Sequence, residues 1–442
     1  MPTPIRRLST ASAVAVVLAA MLGTGLYAAF APAAAAAGPW LALAVVAATL
    51  VALVNASSVA DLAAARPGSE VLSTDLPAPA ARLAAIARLV ARGAGAAAAA
   101  GVFGAYVLPS QPLPVAVIAV LVVVGLNAAG VRISVGASRA LVAGSLVVLV
   151  LLVLVGFFPS AAERTSSAVE SAAAAGTAAE PAIATLQAAP VVGPFGVLTA
   201  TAFVFVAFTG VSRAAELGGS LRDPLRTVRT ASTVAVLLAG VICMGVAAAL
   251  LSGLGAERLA ESPTPLASLI DNGGSPALGV LVRIGAAVAT ASALLGVLSR
   301  ASRTGSAMAQ VGDLPRWVGR TGPRGTPWVA DLLGGAATVV VTVLVGPVTA
   351  LAVSACALLV YYALLHGAVL RLPRRSRRAA AVAVVGVAVC LVPAVTLPPW
   401  AVFATAALLV GGWLLSTWSA RLRRHGHGTE PVDSDGPDEQ AA

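Results

Sequence analysis

Long apolar runs, separated by short polar or Pro/Gly-containing clusters, follow one another along most of the chain. A helix needs about 20 apolar residues to cross the hydrocarbon core of a bilayer. About twelve runs meet or approach this length, so the pattern predicts an all-α membrane protein with about twelve spans. The predicted spans lie near Ala11–Ala36, Trp40–Ala65, Ala85–Leu108, Leu113–Ala129, Ala137–Phe158, Phe195–Leu217, Thr230–Leu254, Pro276–Arg300, Trp328–Val345, Pro347–Leu370, Ala379–Val395 and Pro398–Ala420.

Composition excludes a water-facing globular fold. The 442 residues are 59% hydrophobic and 10% charged, whereas soluble domains are about 45–50% apolar and about 25% charged. The net charge of +10 would suggest nucleic acid as the partner of a soluble protein. Here the basic residues flank apolar runs, where they set membrane topology. The lipid bilayer is therefore the expected partner, and nucleic acid is not.

Arginine placement predicts the topology. If both termini are cytoplasmic, 24 of the 28 basic residues, all of them Arg, fall in inner segments, among them Arg88, Arg92 and Arg300. The outer segments then hold only Arg164 and Arg258, and Arg213 and Arg283 lie within spans. Positive residues are retained on the cytoplasmic side of membrane proteins. With a composition rich in Ala, Val and Gly, as in GC-rich bacterial genomes, this predicts a multi-pass protein of a bacterial plasma membrane.

The spans group into one domain with a short tail. We expect one polytopic membrane domain over residues 1–424, with one helical repeat at about 11–158, a second at about 195–370, and two further helices at about 379–420. Residues 425–442 are polar and acidic, a composition typical of disordered segments. We interpret them as a disordered cytoplasmic tail.

Catalytic signatures are missing from the sequence. It contains no P-loop, HExxH or GxSxG motif and no carboxylate cluster within a span. Cys243, Cys356 and Cys390 lie in separate apolar runs, so neither a disulfide framework nor a cysteine metal site is expected. We therefore expect no enzyme, no metal and no cofactor. Transport is the leading functional class.

Two predicted spans carry matching interruptions. Gly23-Thr24-Gly25 interrupts the first span and Phe208-Thr209-Gly210 the sixth. Glycine lets backbone N–H and C=O groups leave the regular helical hydrogen bonds, and such groups can hold a charged solute. Paired interruptions in two halves point to the binding site of inverted-repeat transporters. The alternative is that these glycines serve close helix packing.

At these residues the chain resembles the amino acid–polyamine–organocation superfamily of permeases. The similar segments are Gly23–Tyr27, Ala37–Trp40, Asn55–Pro67, Phe205–Gly210, Leu221–Arg229, Arg300–Ala309, Gly312–Pro315 and Gly325–Pro327. The resemblance implies twelve helices, a five-plus-five inverted repeat with discontinuous helices one and six, and alternating access. It also implies that a substrate carboxylate contacts the amides of Gly23–Gly25 and that the ammonium group contacts carbonyls of both interruptions. Phe208 would help to close the site from outside.

The sequence departs from the superfamily pattern at several positions. Val211, Ser212 and Arg213 follow the second interruption, where an aromatic residue and then Glu or Gly are usual. Ser145 stands where some proton-coupled members have a Lys in place of a sodium ion. The coupling ion, proton or sodium, therefore stays open, as does exchange.

Polar residues within the spans are the remaining candidates. Arg213 and Glu216, three apart, can pair on one helix face, either as part of gating and coupling or as a structural pair. Ser292, with Thr290, could supply hydroxyls to a sodium site, although such hydroxyls more often bond their own helix. Asp61 is expected to pair with an inner Arg, and Arg283 is expected to extend outward. His366 is expected to be a packed or interfacial residue rather than a proton switch. His425 and His427 lie in the tail, where we expect them to be solvated rather than to bind a metal.

The functional prediction is a secondary active permease for an amino acid or related amine. One alternative is a transporter of the same fold for another small solute, such as a polyamine. Another is a non-transporting sensor or scaffold. The exact substrate, the direction of transport and the oligomeric state stay open.

Overall fold

The computed structural model describes residues 9–65, 75–131, 143–154 apart from 146 and 151, 193–216, 224–272, 276–373 and 375–426. Within these ranges the regular structure is helical throughout. The helices are α1 Thr10–Met21, α2 Thr24–Ala28, α3 Phe30–Ala37, α4 Leu41–Ala65, α5 Ala78–Val107, α6 Pro112–Ala128, α7 Ala143–Leu154, α8 Pro194–Phe205, α9 Val211–Glu216, α10 Pro224–Glu261, α11 Pro265–Asn272, α12 Pro276–Val311, α13 Trp328–Val345, α14 Pro347–Val369, α15 Arg377–Thr396 and α16 Pro399–Gly426. Short 3₁₀ turns cover Gly38–Trp40, Val206–Phe208 and Arg316–Gly319.

Helix length and composition identify a multi-pass membrane protein. Ten helical stretches in the described residues are long and apolar enough to cross a membrane, and Pro112–Ala128 and Ala143–Leu154 are shorter apolar helices. Large apolar side chains such as Leu50, Val241 and Phe403 lie on the outer surface, where lipid would contact them. The count of twelve spans and the inverted repeat stay predictions. The tail lies outside the described residues from residue 427 on, and part of the predicted span Ala137–Phe158 does too.

Glycine and proline mark the ends of several helices. Gly38 (φ 53°) precedes Pro39 between α3 and α4, and Gly346 (φ 79°) precedes Pro347 between α13 and α14. Both glycines adopt a positive φ that other residues rarely take. Proline is favoured at the first helical position because its missing N–H needs no partner there. These pairs end one helix and begin the next within a few residues.

The centre of the bundle is built from small residues. Helix α5 packs against α12 and α14, and α4 packs against α10 and α8. On α5, Ala84, Ala87, Ala97 and Ala98 are completely buried. Small side chains let membrane helices approach closely, and the resulting van der Waals contact stabilises the bundle. This close packing positions α5 beside the interrupted helices described below.

A buried polar network joins α4, α14 and α15. The His366 Nδ1 lies 2.8 Å from Ser58 Oγ, and His366 Nε2 lies 2.8 Å from Asn55 Oδ1. Nε2–H donates to Asn55 and Nδ1 accepts from Ser58. Cys390 Sγ also donates to Asn55 Oδ1 at 3.3 Å, and Gly386 leaves room for the imidazole ring. The interpretation of His366 as a packed histidine agrees with this burial.

Replacement of His366 by Ala should lower the stability of the bundle. It removes the His366 hydrogen bonds to Ser58 and Asn55 and leaves a cavity, which together should cost about 2–4 kcal/mol. Thermal unfolding of the purified protein in detergent measures the loss. His366→Gln, which keeps one donor and one acceptor, should lose less. A His366→Ala protein as stable as the parent would show that the network contributes nothing.

Candidate functional site

The first interruption is a true gap between two helices. At the end of α1 the Leu22 N–H donates to Leu18 O at 2.9 Å, and at the start of α2 the Leu26 N–H donates to Gly23 O at 3.1 Å. Between them Gly23 has φ −89° and ψ −143°, which is outside the helical region. The peptide groups around Gly23 are thus released from a continuous helix near the middle of the bundle.

The second interruption is a milder distortion. Helix α8 ends at Phe205 and tightens into a 3₁₀ turn over Val206–Phe208 before α9 begins at Val211. The Thr209 N–H donates to Val206 O at 3.3 Å, and the Arg213 N–H donates to Gly210 O at 2.9 Å. In this segment i→i+3 hydrogen bonds take the place of helical i→i+4 bonds.

The two interruptions contact each other through glycine. A Cβ atom at Gly25 would lie 2.5 Å from the backbone nitrogen of Ala207. A Cβ atom at Gly210 would lie 2.7 Å from both Val17 O and Met21 Cγ. Backbone therefore packs directly on backbone, with no room for a side chain at either position. The two predicted interruptions form one structural unit.

A cavity of about 430 Å³ lies beside this unit. The interruptions contribute Leu22, Gly25, Val206 and Thr209 to its wall. The remaining walls come mainly from α1, α5, α12 and α14, and include Gly95, Ser292, Ser354, Leu358 and Tyr361. This volume falls within the range of about 300–1,000 Å³ that is usual for small-molecule sites. The site can therefore hold a small solute.

Some of the predicted binding residues line the cavity, and the others pack between helices outside its wall. Gly25 and Thr209 line the cavity. Gly23 packs on Ala293, Gly210 packs on α1, and Phe208 is completely buried away from the wall. The backbone of Thr24 begins α2, and its side chain is outside the described part of the structure.

The predicted gating residues also converge on this region. Ser145, Ser292 and Arg213 line the cavity. Ser292 Oγ donates to Ala289 O at 2.8 Å, and Thr290 Oγ1 donates to Ala286 O at 2.6 Å. Both hydroxyl hydrogens are thus used within α12, as is common for helical Ser and Thr. No further contact among the described residues favours a sodium site there.

Glu216 is the centre of an ion-pair cluster at the edge of the cavity. It accepts from Arg213 at 2.5 Å, as the i,i+3 spacing predicts, and also from Arg88 at 3.1 Å and Arg92 at 3.4 Å. Arg92 further donates to Thr304 Oγ1 at 2.6 Å and Arg300 O at 2.9 Å. The cluster ties α9 to α5 and α12.

Arg88 and Arg92 were predicted only to set membrane topology, and their ion pairs with Glu216 were not predicted. The available signal was their position inside an otherwise apolar helix, because charged residues within spans are usually paired and functional. Two further ion pairs are formed by residues that do not line the cavity. Arg229 donates to Asp61 at 2.5 Å, and Arg283 donates to Asp271 at 2.6 Å.

A helical membrane bundle with a central cavity beside two interrupted helices is the architecture of a membrane transporter. The chain belongs to the amino acid permease family, whose sequence profile matches residues 8–419. This confirms the resemblance noted from the sequence. Uncharacterized transporters of Mycobacterium bovis and Mycobacterium tuberculosis are each 36% identical over 415 residues, covering 91% of this chain and 89% of the relative.

Proposed function

We propose that this chain is a secondary active transporter of amino acids that works by alternating access. The observation that carries the proposal is the cavity beside the contact between Gly25 and Ala207, where both helix interruptions reach its wall. Membership of the permease family supports the same conclusion. Rearrangement at this contact would expose the cavity to one side of the membrane and then to the other.

The substrate would be held mainly by peptide groups. Its α-carboxylate would contact N–H groups at Gly23–Gly25, and its ammonium group would contact carbonyls of the first interruption and of Phe208–Gly210. The Thr209 and Ser292 positions in the wall support a polar, small substrate. Coupling would be to a proton or sodium gradient or to exchange.

Counterflow in proteoliposomes tests the proposal. Purified protein is reconstituted into vesicles loaded with an unlabelled amino acid, and entry of the same labelled amino acid is followed. We expect saturable accumulation for at least one amino acid, and an imposed proton or sodium gradient then identifies the coupling ion. The absence of uptake and counterflow across all twenty amino acids would instead favour a sensor or scaffold.

Ligand-dependent stabilisation gives an independent readout. A ligand that binds only the folded state raises its stability, by about 2.7 kcal/mol at a concentration 100 times its Kd. A transported amino acid should therefore raise the unfolding temperature in detergent. Amino acids that are not transported should leave the unfolding temperature unchanged.

A further inference from the structure

The cavity carries a strong positive charge. Its wall includes five arginines and no carboxylate among the described residues: Arg88, Arg92, Arg213, Arg300 and Arg303. Glu216, just behind the wall, accepts hydrogen bonds from Arg88, Arg92 and Arg213. Asp331 lies close enough to Arg303 to interact with it. The two negative charges of Glu216 and Asp331 cannot neutralise five guanidinium groups. The field in the cavity therefore attracts anions and repels polycations.

Arg300, like Arg303, lines the cavity with unused hydrogen-bonding capacity in its guanidinium. Its side chain makes no hydrogen bond or ion pair within the described part of the chain, although its backbone carbonyl accepts from Arg92. The guanidinium folds back along α12, because a Cβ atom at Gly296 would lie 3.1 Å from Arg300 Nη1. Gly296 and Arg300 both line the cavity. The free guanidinium is thus directed into the space where a solute would lie.

The guanidinium lies close to the first helix interruption. A Cβ atom at Gly23 would lie 2.8 Å from Ala293 Cβ, which places Ala293 beside the interruption. Gly296 follows Ala293 by three residues, a rise of about 4.5 Å along the helix axis. A solute that binds at the interruption can therefore reach Arg300 if it carries a second anionic group two or three carbon atoms away.

We propose that the transported amino acid is acidic, and that Arg300 binds its side-chain carboxylate. The proposal rests on the proposed function, since the α-carboxylate and ammonium group would bind at the interruptions. The planar guanidinium can donate two parallel hydrogen bonds to one carboxylate. The substrate would give a direct ion-pair partner to a guanidinium that interacts with Glu216 only at a distance, in a partly desolvated cavity. A polyamine fits poorly, because it would place further positive charge among five arginines.

Competition against labelled glutamate in proteoliposomes tests the substrate class. In the parent protein, unlabelled aspartate and glutamate should compete strongly, and alanine and arginine weakly. Succinate has two carboxylates but no ammonium group, so it should compete less than aspartate; equal competition would identify a dicarboxylate site and overturn the assignment to an amino acid.

Variants at Arg300 test the residue. Arg300→Gln should raise the KM for glutamate by about tenfold or more, while Arg300→Lys should raise it less. Arg378→Gln is a matched control, because Arg378 is exposed at the start of α15 and does not line the cavity. An unchanged KM for glutamate in Arg300→Gln would overturn the proposal. If Arg300→Gln does not fold, the unfolding temperature of the parent protein provides the test. An increase with glutamate but not with alanine supports the proposal, and an increase with alanine but not with glutamate overturns it.

The two proposals can fail separately. Transport of neutral or basic amino acids without transport of acidic ones would overturn the assignment of Arg300 and leave the permease function standing. A parent protein that transports no amino acid at all would overturn both.

Discussion

Replacement of Gly25 by Ala should reduce transport by about tenfold or more. A Cβ atom at this position would lie 2.5 Å from Ala207 N, and the opposing atoms are backbone, which cannot rotate away. The interruptions must then separate, and this distorts the cavity wall at Gly25, Val206 and Thr209. Overpacking of this kind also costs about 1–3 kcal/mol of stability. Counterflow and thermal unfolding measure the two effects.

Gly125→Ala is the matched control for this substitution. Gly125 lies within α6, and apart from the backbone of its own helix and its chain neighbours no atom lies within 4 Å of a Cβ built there. Alanine has the higher helix propensity, so this variant should transport normally and be at least as stable as the parent. Normal counterflow by Gly25→Ala at normal expression would contradict the close contact between the two interruptions.

Replacement of Glu216 by Gln should cause the largest loss of stability. The Glu216 side chain is 11% exposed and holds Arg88, Arg92 and Arg213, whose side chains are 11%, 13% and 33% exposed. Glutamine is close in shape but neutral, so three partly buried cations would lose their counter-ion. Breaking a buried ion pair from one side costs about 3–5 kcal/mol. Transport should also fall, because α9 would lose its link to α5 and α12.

A surface pair provides the control for Glu216. Asp271 pairs with Arg283 at 2.6 Å, but these side chains are 47% and 35% exposed. Exposed pairs contribute about 0–1 kcal/mol, so Asp271→Asn should scarcely change the unfolding temperature. If Glu216→Gln is no less stable than Asp271→Asn, the arginine cluster does not depend on this carboxylate.

Local features of the fold could be predicted from the sequence. The apolar runs predicted the helices, and the Gly23–Gly25 motif predicted the gap between α1 and α2. The spacing of Arg213 and Glu216 predicted their ion pair. Each of these depends on residues close in sequence, where helix geometry alone sets the distances.

Long-range contacts could not be predicted in the same way. The approach of Arg88 and Arg92 to Glu216 joins residues more than 120 positions apart, and it depends on how α5 packs in the bundle. The contact of Gly25 with Ala207 could not be predicted either. The sequence indicates each interruption separately, but not that the two lie against each other. Arg300 was noted only for topology and family resemblance, because its direction into the cavity depends on the space beside Gly296.

Substrate protection of a cysteine at position 209 tests most directly whether the solute occupies the cavity beside the interruptions. The native Cys243, Cys356 and Cys390 are all buried, so the parent protein provides a low background of alkylation. A transported amino acid should slow alkylation of Thr209→Cys by a small thiol reagent, and should leave the exposed control Arg320→Cys unchanged. Unaltered alkylation of Thr209→Cys at a saturating concentration of a transported amino acid would place the binding site elsewhere.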